Sequence, residues 1–99
     1  MIVEELFNHF NNLSSALCNK AEGVYNKYAT MEGCDKEELD SLYNSLNEAA
    51  KVTDNIDILV ALHLLLKIKR HQIDGIIIEN GRKIKYINHD SIITTEIIK

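Results

Sequence analysis

The chain has 99 residues, of which 45% are hydrophobic and 26% charged, with a formal net charge of −4. This composition is typical of one globular domain, and it excludes a disordered chain, which would have too few apolar residues to build a core. We therefore expect a single domain over residues 1–99, with a helical part at 1–71 and an antiparallel β part at 72–99.

The first residues do not have the pattern of a secretory signal peptide. Glu4 and Glu5 stand where a basic segment would be needed, and polar residues interrupt the apolar positions. We expect a cytoplasmic protein, in a bacterial or archaeal cell or in an infected host cell. Fourteen isoleucines, ten asparagines and nine lysines indicate AT-rich coding, as in low-GC bacteria, their phages and some archaeal viruses.

Two helices are predicted in the first half of the chain. Apolar residues recur at helical spacing from residue 2 to about residue 29, and Gly33 is a plausible terminator. Asp35 followed by Glu38 resembles a capping box and predicts that a second helix begins there.

A third helix is predicted over residues 55–71, after possible capping residues at 53–55. Since no glycine or proline separates it from the second helix, one long bent helix is the alternative. Ten of the thirteen positions from Ile56 to Ile68 are apolar. A helix that is apolar on every side is buried or spans a membrane, and thirteen residues are too few to span one. We expect the other helices and one sheet face to enclose it, with His63 as a hydrogen-bonded core histidine.

The last third of the chain predicts a three-stranded antiparallel meander. Asn80-Gly81 is a strong signal for a type I′ hairpin turn, and it pairs Glu79 with Arg82 and Ile77 with Ile84. A second turn at residues 88–91 would pair Asn88 with Ser91. Two further pairs follow from that register, Tyr86 with Ile93 and Lys83 with Glu96.

This register gives the sheet two apolar faces. The face predicted to cover the core carries Ile77, Ile84, Tyr86, Ile93 and Ile97. The opposite face carries five more isoleucines, and we interpret them as a protein-interaction site because exposed apolar patches often mark such sites. These residues are Ile76, Ile78, Ile87, Ile92 and Ile98. Either packing of helix one on this face or a register slip by one residue is the alternative.

Charge is divided unevenly along the chain. Residues 1–57 hold four lysines against eleven acidic residues, and residues 58–85 hold six basic residues against two acidic ones. A basic pole suits nucleic-acid phosphates, whereas an acidic pole suits a basic cleft. The candidates for nucleic-acid binding are Lys67, Lys69, Arg70, Arg82, Lys83, Lys85 and Tyr86. A winged helix-turn-helix is disfavoured because the first half of helix three lacks side chains that read bases.

The sequence contains no glycine-rich phosphate loop, no HExxH zinc motif and no CxxC pair. We expect neither enzymatic activity nor a cofactor. Cys18 and Cys34 are predicted to be free thiols, because helix one would hold them too far apart for a disulfide. A zinc site drawn from Cys18, Cys34, His63 and His71 is possible in composition, but their spacing does not support it.

The predicted fold is α+β, with about three N-terminal helices packed on a C-terminal three-stranded antiparallel β-meander. The predicted function is that of a small, acidic, non-enzymatic protein-interaction module, homodimeric and docking a host protein as an inhibitor or accessory factor. A nucleic-acid-binding regulator is the first alternative and a zinc-stabilised binding module the second. No membrane partner is expected.

Overall fold

The computed structural model describes the backbone of residues 3–98 and the side chains of residues 14–98. Its helices are α1 (Val3–Ala29), α2 (Lys36–Ala50) and α3 (Ile56–Lys69). Its strands are β1 (Cys34–Asp35), β2 (Gly75–Glu79), β3 (Arg82–His89) and β4 (Ile92–Ile98). The predicted α+β class and the three helices are confirmed. Within residues 3–98 the sheet has four strands in the order β1-β2-β3-β4, so the predicted three-stranded antiparallel meander is incomplete. The sheet is mixed because β1 pairs in parallel with β2.

Side-chain caps begin the second and third helices where the sequence predicts them. Asp35 accepts a hydrogen bond from the Glu37 backbone N–H at 3.0 Å, and Asn55 accepts one from the Asp57 N–H at 3.0 Å. Such caps satisfy amide donors that have no partner inside a helix. The connection at 51–55 therefore separates two helices, and the single bent helix is excluded.

The chain leaves α1 through a turn that needs left-handed backbone. Met31 has φ +67° and Gly33 has φ +101°, and the Gly33 N–H donates to the Lys27 carbonyl at 2.8 Å. Gly33 is thus the predicted terminator, and it also directs the chain into β1. Such φ values cost little for glycine because it has no Cβ.

Helices α1 and α3 run in the same direction, and α2 runs antiparallel to both. Cys18 of α1 lies beside Asp57 at the start of α3. Towards the end of α1, the Tyr28 hydroxyl donates to the carbonyl of Ile73, just beyond α3, at 2.8 Å. The last residue of α3, Lys69, pairs with Asp40 in the first half of α2.

The core lies between the three helices and β2. Its fully buried side chains include Tyr28, Leu39, Leu46, Ile58, Leu65 and Ile68. Gly75, at the start of β2, makes room for one of them, because a Cβ at Gly75 would lie 2.4 Å from the Tyr28 ring. The sheet therefore joins the core chiefly through β2.

The first hairpin has the predicted register, and the second does not. Glu79 pairs with Arg82 and Ile77 with Ile84, as expected. In the second hairpin, the turn residues are Asp90 and Ser91, both at positive φ. His89 consequently pairs with Ile92.

The predicted pairs Asn88–Ser91, Tyr86–Ile93 and Lys83–Glu96 are therefore wrong by two residues: Tyr86 pairs with Thr95 and Lys83 with Ile98. The Asn88 side chain accepts the Ser91 N–H at 3.1 Å and supports the observed turn. Because side chains alternate between faces with a period of two, a shift of two leaves every residue on its predicted face.

The helices cover only one end of the sheet. Helices α1 and α2 pack against β1 and β2, whereas all of β4 from Ile92 to Ile97 is exposed. Ile93 is 43% and Ile97 59% exposed, so the prediction that they join the core is wrong. The molecule is elongated, with extents of 53 × 28 × 18 Å.

None of the helices within residues 3–98 combines the length and apolar character needed to cross a membrane.

Candidate interaction surfaces

The outer face of α3 is an uncovered apolar surface. Ile56 is 70% exposed, and Leu59 and Val60 are each 55% exposed. We call these three residues the α3 surface. The expected enclosure of this helix is therefore wrong. His63 is exposed as well, so it is not the core histidine that the sequence predicts.

The arrangement of the helices explains why this face stays open. The buried residues of α3 are Ile58, Ala61, Leu65 and Ile68, which recur every three or four positions and form one stripe. Helices α1 and α2 both pack along that side. The sheet follows α3 in the chain and lies at its C-terminal end, so it does not reach the outer face.

A groove of about 290 Å³ between α1 and α3 borders the α3 surface. Val60 and Leu64 supply its apolar wall, and Glu22 and Asp57 bring two carboxylates to the same groove. Serine and asparagine side chains make up most of the remaining lining. An apolar stripe beside an acidic groove is suited to a partner that presents both aliphatic and basic side chains.

The back of the sheet is only partly open. Of the five isoleucines predicted as an interaction site, Ile76 is 4% exposed and Ile92 is 68% exposed, whereas Ile78, Ile87 and Ile98 are half-buried. The turn before β1 lies against this face, since a Cβ at Gly33 would be 3.2 Å from both Ile76 and Ile78. The most exposed apolar residues of the sheet are therefore at its β4 end.

Strand β4 is uncovered on both faces and along its outer edge. Ile93 and Ile97 point to one face and Ile92 to the other, and each is more than 40% exposed. Since β4 is the last strand in the sheet order, its outer edge carries backbone donors and acceptors that no strand within residues 3–98 pairs. We call this strand with its outer edge the free edge.

The basic residues of the nucleic-acid alternative do not form one patch. Arg82 lies on the opposite face of the sheet from Lys83 and Lys85, because side chains alternate between the two faces along a strand. Arg82 also lies four residues along β3 from Tyr86, roughly 13 Å at the rise of a strand. Lys67 and Arg70 are at the end of α3, beside the other end of that strand.

Two members of that set are already engaged within the chain. The Lys69 ammonium lies 2.6 Å from the Asp40 carboxylate and 5.1 Å from the centre of the Tyr43 ring. Tyr86 stacks on His71, with ring centroids 3.8 Å apart and an angle of 7° between the planes. Tyr86 would have to leave this stack before a base could bind to the same face.

A polar cleft lies between α2, the end of α3 and the sheet. Lys36 and Lys69 line it together with Asp40 and Glu79, and each lysine is paired with one carboxylate, at 2.9 Å and 2.6 Å. His71 also lines the cleft, with its Nδ1 atom buried and without a hydrogen-bond partner. Burial lowers the pKa of His71, which favours its neutral form. The cleft therefore carries little net charge with which to select an ion.

The metal-ligand candidates lie on separate elements. Cys18 is half-buried on α1, Cys34 is buried on β1, and both are free thiols. Burial, with a smaller contribution from the Asp57 carboxylate, raises the pKa of Cys18, and burial raises the pKa of Cys34 to about 11. His63 is exposed on α3, and His71 follows that helix. Among the side chains described at residues 14–98, no three His, Cys, Asp or Glu residues group together as a metal site would require.

Comparison with known proteins gives no family assignment. No protein-family model matches the chain, and neither the curated proteins nor the solved structures contain a match. Its function has to be inferred from its own surfaces.

Proposed function

We propose that the protein is a non-enzymatic protein-interaction module that docks another protein through the α3 surface. The observation that supports this proposal is the exposure of Ile56, Leu59 and Val60, which are 55–70% exposed and lie on one face of α3, the last two being three and four residues after the first. Large aliphatic side chains grouped on a helix surface are the anchors that grooves and helices of partner proteins bind.

The partner that fits this surface is a basic amphipathic segment. Its aliphatic side chains would cover the α3 surface, while its lysine or arginine side chains would approach Glu22 and Asp57 in the bordering groove. Residues 1–74 hold seven basic and twelve acidic residues, a net charge of −5. A second copy docked in the same way would bring two such acidic parts together, so a basic foreign protein is favoured over self-association here.

An inhibitor or accessory role fits this mode of binding. A small acidic protein can occupy a basic surface of a larger protein and block what normally binds there. A phage or mobile-element source and a host protein as the target are part of this proposal, as is the homodimer.

The test is affinity capture from cells of the source organism with the full-length chain as bait. The surface variant is Leu59→Glu with Val60→Glu, and the matched control is Asn44→Glu with Asn47→Glu, which adds the same charge at exposed positions of α2. Both variants should remain folded, because exposed substitutions change stability by only about 0.5 kcal/mol.

We expect one protein to be captured by the native chain and the control but not by the surface variant. With that protein purified, the dissociation constant should rise at least about tenfold in the surface variant, since a buried anchor contributes more than about 1 kcal/mol. Binding should weaken with added salt. Equal capture by the native chain and the surface variant would overturn the proposal.

A further inference from the structure

We infer that two copies of this chain pair through the free edge, β4 against β4 antiparallel, and so join their sheets into one sheet of eight strands. This inference rests on the homodimer in the proposed function and assigns it a contact separate from the α3 surface. The occupant of the free edge is a second copy because the strand is complementary to itself in sequence and hydrogen bonding, and the region around it has no net charge.

The hydrogen-bonding pattern of the second hairpin determines which backbone groups face outward. A two-residue turn is flanked by a hydrogen-bonded pair, here His89 and Ile92. Along β4, such pairs alternate with non-hydrogen-bonded ones. Three residues therefore direct their N–H and C=O groups away from β3, namely Ile93, Thr95 and Ile97.

The sequence of β4 is nearly symmetric about Thr95. When two copies pair around this residue, Thr95 meets its own copy, Ile93 meets Ile97 of the second copy, and Ile92 meets Ile98. Thr95 with Thr95, and Ile93 with Ile97 twice, make three hydrogen-bonded pairs with two bonds each. Isoleucine then lies against isoleucine on both faces of the joined sheet, where such contacts stabilise strand pairing.

Neighbouring registers are less favourable. A centre at Glu96 would place two carboxylates directly opposite each other, which is destabilising. A centre at Thr94 would place Ile97 opposite Ser91 and lose the matched isoleucines. With Thr95 at the centre, Glu96 faces Thr94 of the second copy, and its own cross-strand neighbour Lys85 balances its charge.

The distribution of charge also favours association through this end of the molecule over association through the helical end. The region from residue 75 to residue 98 has no net charge, since three basic residues offset three acidic ones. They are Arg82, Lys83, Lys85, Glu79, Asp90 and Glu96. Two copies joined at β4 keep their acidic helical parts at opposite ends, so their mutual repulsion is weak.

The sequence of β4 has few of the features that usually prevent edge pairing. Natural edge strands are protected by charged side chains, lysine above all, or by proline, bulges or a covering element. From Ile92 to Ile98, β4 has neither lysine nor proline, and its residues pair one for one with β3. Its one charged side chain, Glu96, lies opposite Lys85. The opposite edge of the sheet is β1, which is only two residues long and contacts α1 and α2. The free edge is therefore the longer of the two.

Sedimentation equilibrium of this chain tests the inference. The protein concentration should run from about 5 to about 500 µM, because small interfaces dissociate in this range. The native chain, of 11.3 kDa, should reach the mass of a dimer at the upper end. Thr95→Pro removes an outward N–H without breaking a bond to β3, a position that edge strands tolerate, and it should weaken association at least about tenfold.

Two double variants test the register itself. Ile93→Lys with Ile97→Lys would place like charges opposite each other and should remain monomeric. Ile93→Lys with Ile97→Glu would place opposite charges there and should dimerise again, more weakly as salt is added. Circular dichroism should show that each variant is folded, because Ile93 and Ile97 are exposed.

The variant Leu59→Glu with Val60→Glu should dimerise like the native chain, so loss of partner capture and loss of dimerisation are separable. A native chain that stays monomeric at all concentrations overturns the inference. It is also overturned if the doubly lysine-substituted chain dimerises like the native one, or if dimerisation is lost in the α3 variant.

Discussion

The two ends of the sheet differ in what covers them, although both are rich in isoleucine. At one end, Ile76 and Ile77 of β2 are about 95% buried, and Gly75 allows the Tyr28 ring to pack against the backbone. At the other end, Ile92, Ile93 and Ile97 of β4 are 43–68% exposed. The same kind of side chain thus stabilises the monomer at the covered end and remains available for binding at the free end.

Helix α3 repeats this contrast around its own axis. Leu65 is fully buried, whereas Leu59, on the outer face, is 55% exposed. Strand and helix together give the molecule a core side and an exposed apolar side, and substitutions at matched residues can separate the two.

The largest effect is expected at α3. Leu65→Ala removes a fully buried side chain and should lower the free energy of unfolding by about 2–5 kcal/mol. The matched change Leu59→Ala should alter it by no more than about 0.5 kcal/mol. Urea unfolding followed by circular dichroism measures both. Equal losses would mean that the outer face of α3 is covered in the isolated chain.

A smaller effect is expected from two glycines. Gly75→Ala would push a Cβ into the Tyr28 ring and should destabilise the fold by about 1–3 kcal/mol, the usual result of overpacking. Gly23→Ala adds a Cβ that meets nothing within 4 Å and should stabilise α1 by up to about 1 kcal/mol. Thermal unfolding compares the two. A stable Gly75→Ala chain would show that Tyr28 does not pack against β2 as described.

An effect that appears only at high pH is expected from titration of the buried Cys34 thiol. Its pKa is raised from 9.0 to about 11, so the unfolded chain releases this proton before the folded chain does. The stabilising contribution is complete below pH 9 and is lost as the pH rises to about 11. Stability should fall over this window in the native chain and fall less steeply in Cys34→Ala. Burial is the main cause of the raised pKa of Tyr28 and is present in both chains, whereas the charge of Cys34, which also raises it, is absent from Cys34→Ala. Both changes make the slope of the variant shallower, so identical slopes would contradict the burial of Cys34.

Local signals made much of this fold predictable from sequence. Asp35 and Asn55 mark helix starts because their side chains cap backbone amides within two residues. Asn80-Gly81 sets the first hairpin because few residues adopt positive φ at both turn positions as readily. In each case the deciding contact lies within a few residues of the signal.

The features that the sequence did not predict depend on longer-range contacts or on ambiguous turns. Strand β1 has two residues, and its pairing partner lies more than forty positions away. The second turn has no glycine, so its sequence is compatible with turn residues at 89–90 and at 90–91. The exposure of α3 and β4 depends on where the sheet lies relative to the helices. No local pattern in the sequence indicates where the sheet lies, which is why the sequence alone predicts Ile93 and Ile97 in the core.

Hydrogen exchange of the native chain at low and high protein concentration tests the free edge most directly. If two copies pair through β4, the outward amides of Ile93, Thr95 and Ile97 will exchange more slowly at high concentration, while those of α3 will not change. If exchange in β4 is independent of concentration, or if protection increases on α3 instead, the free edge is not where this protein meets its second copy.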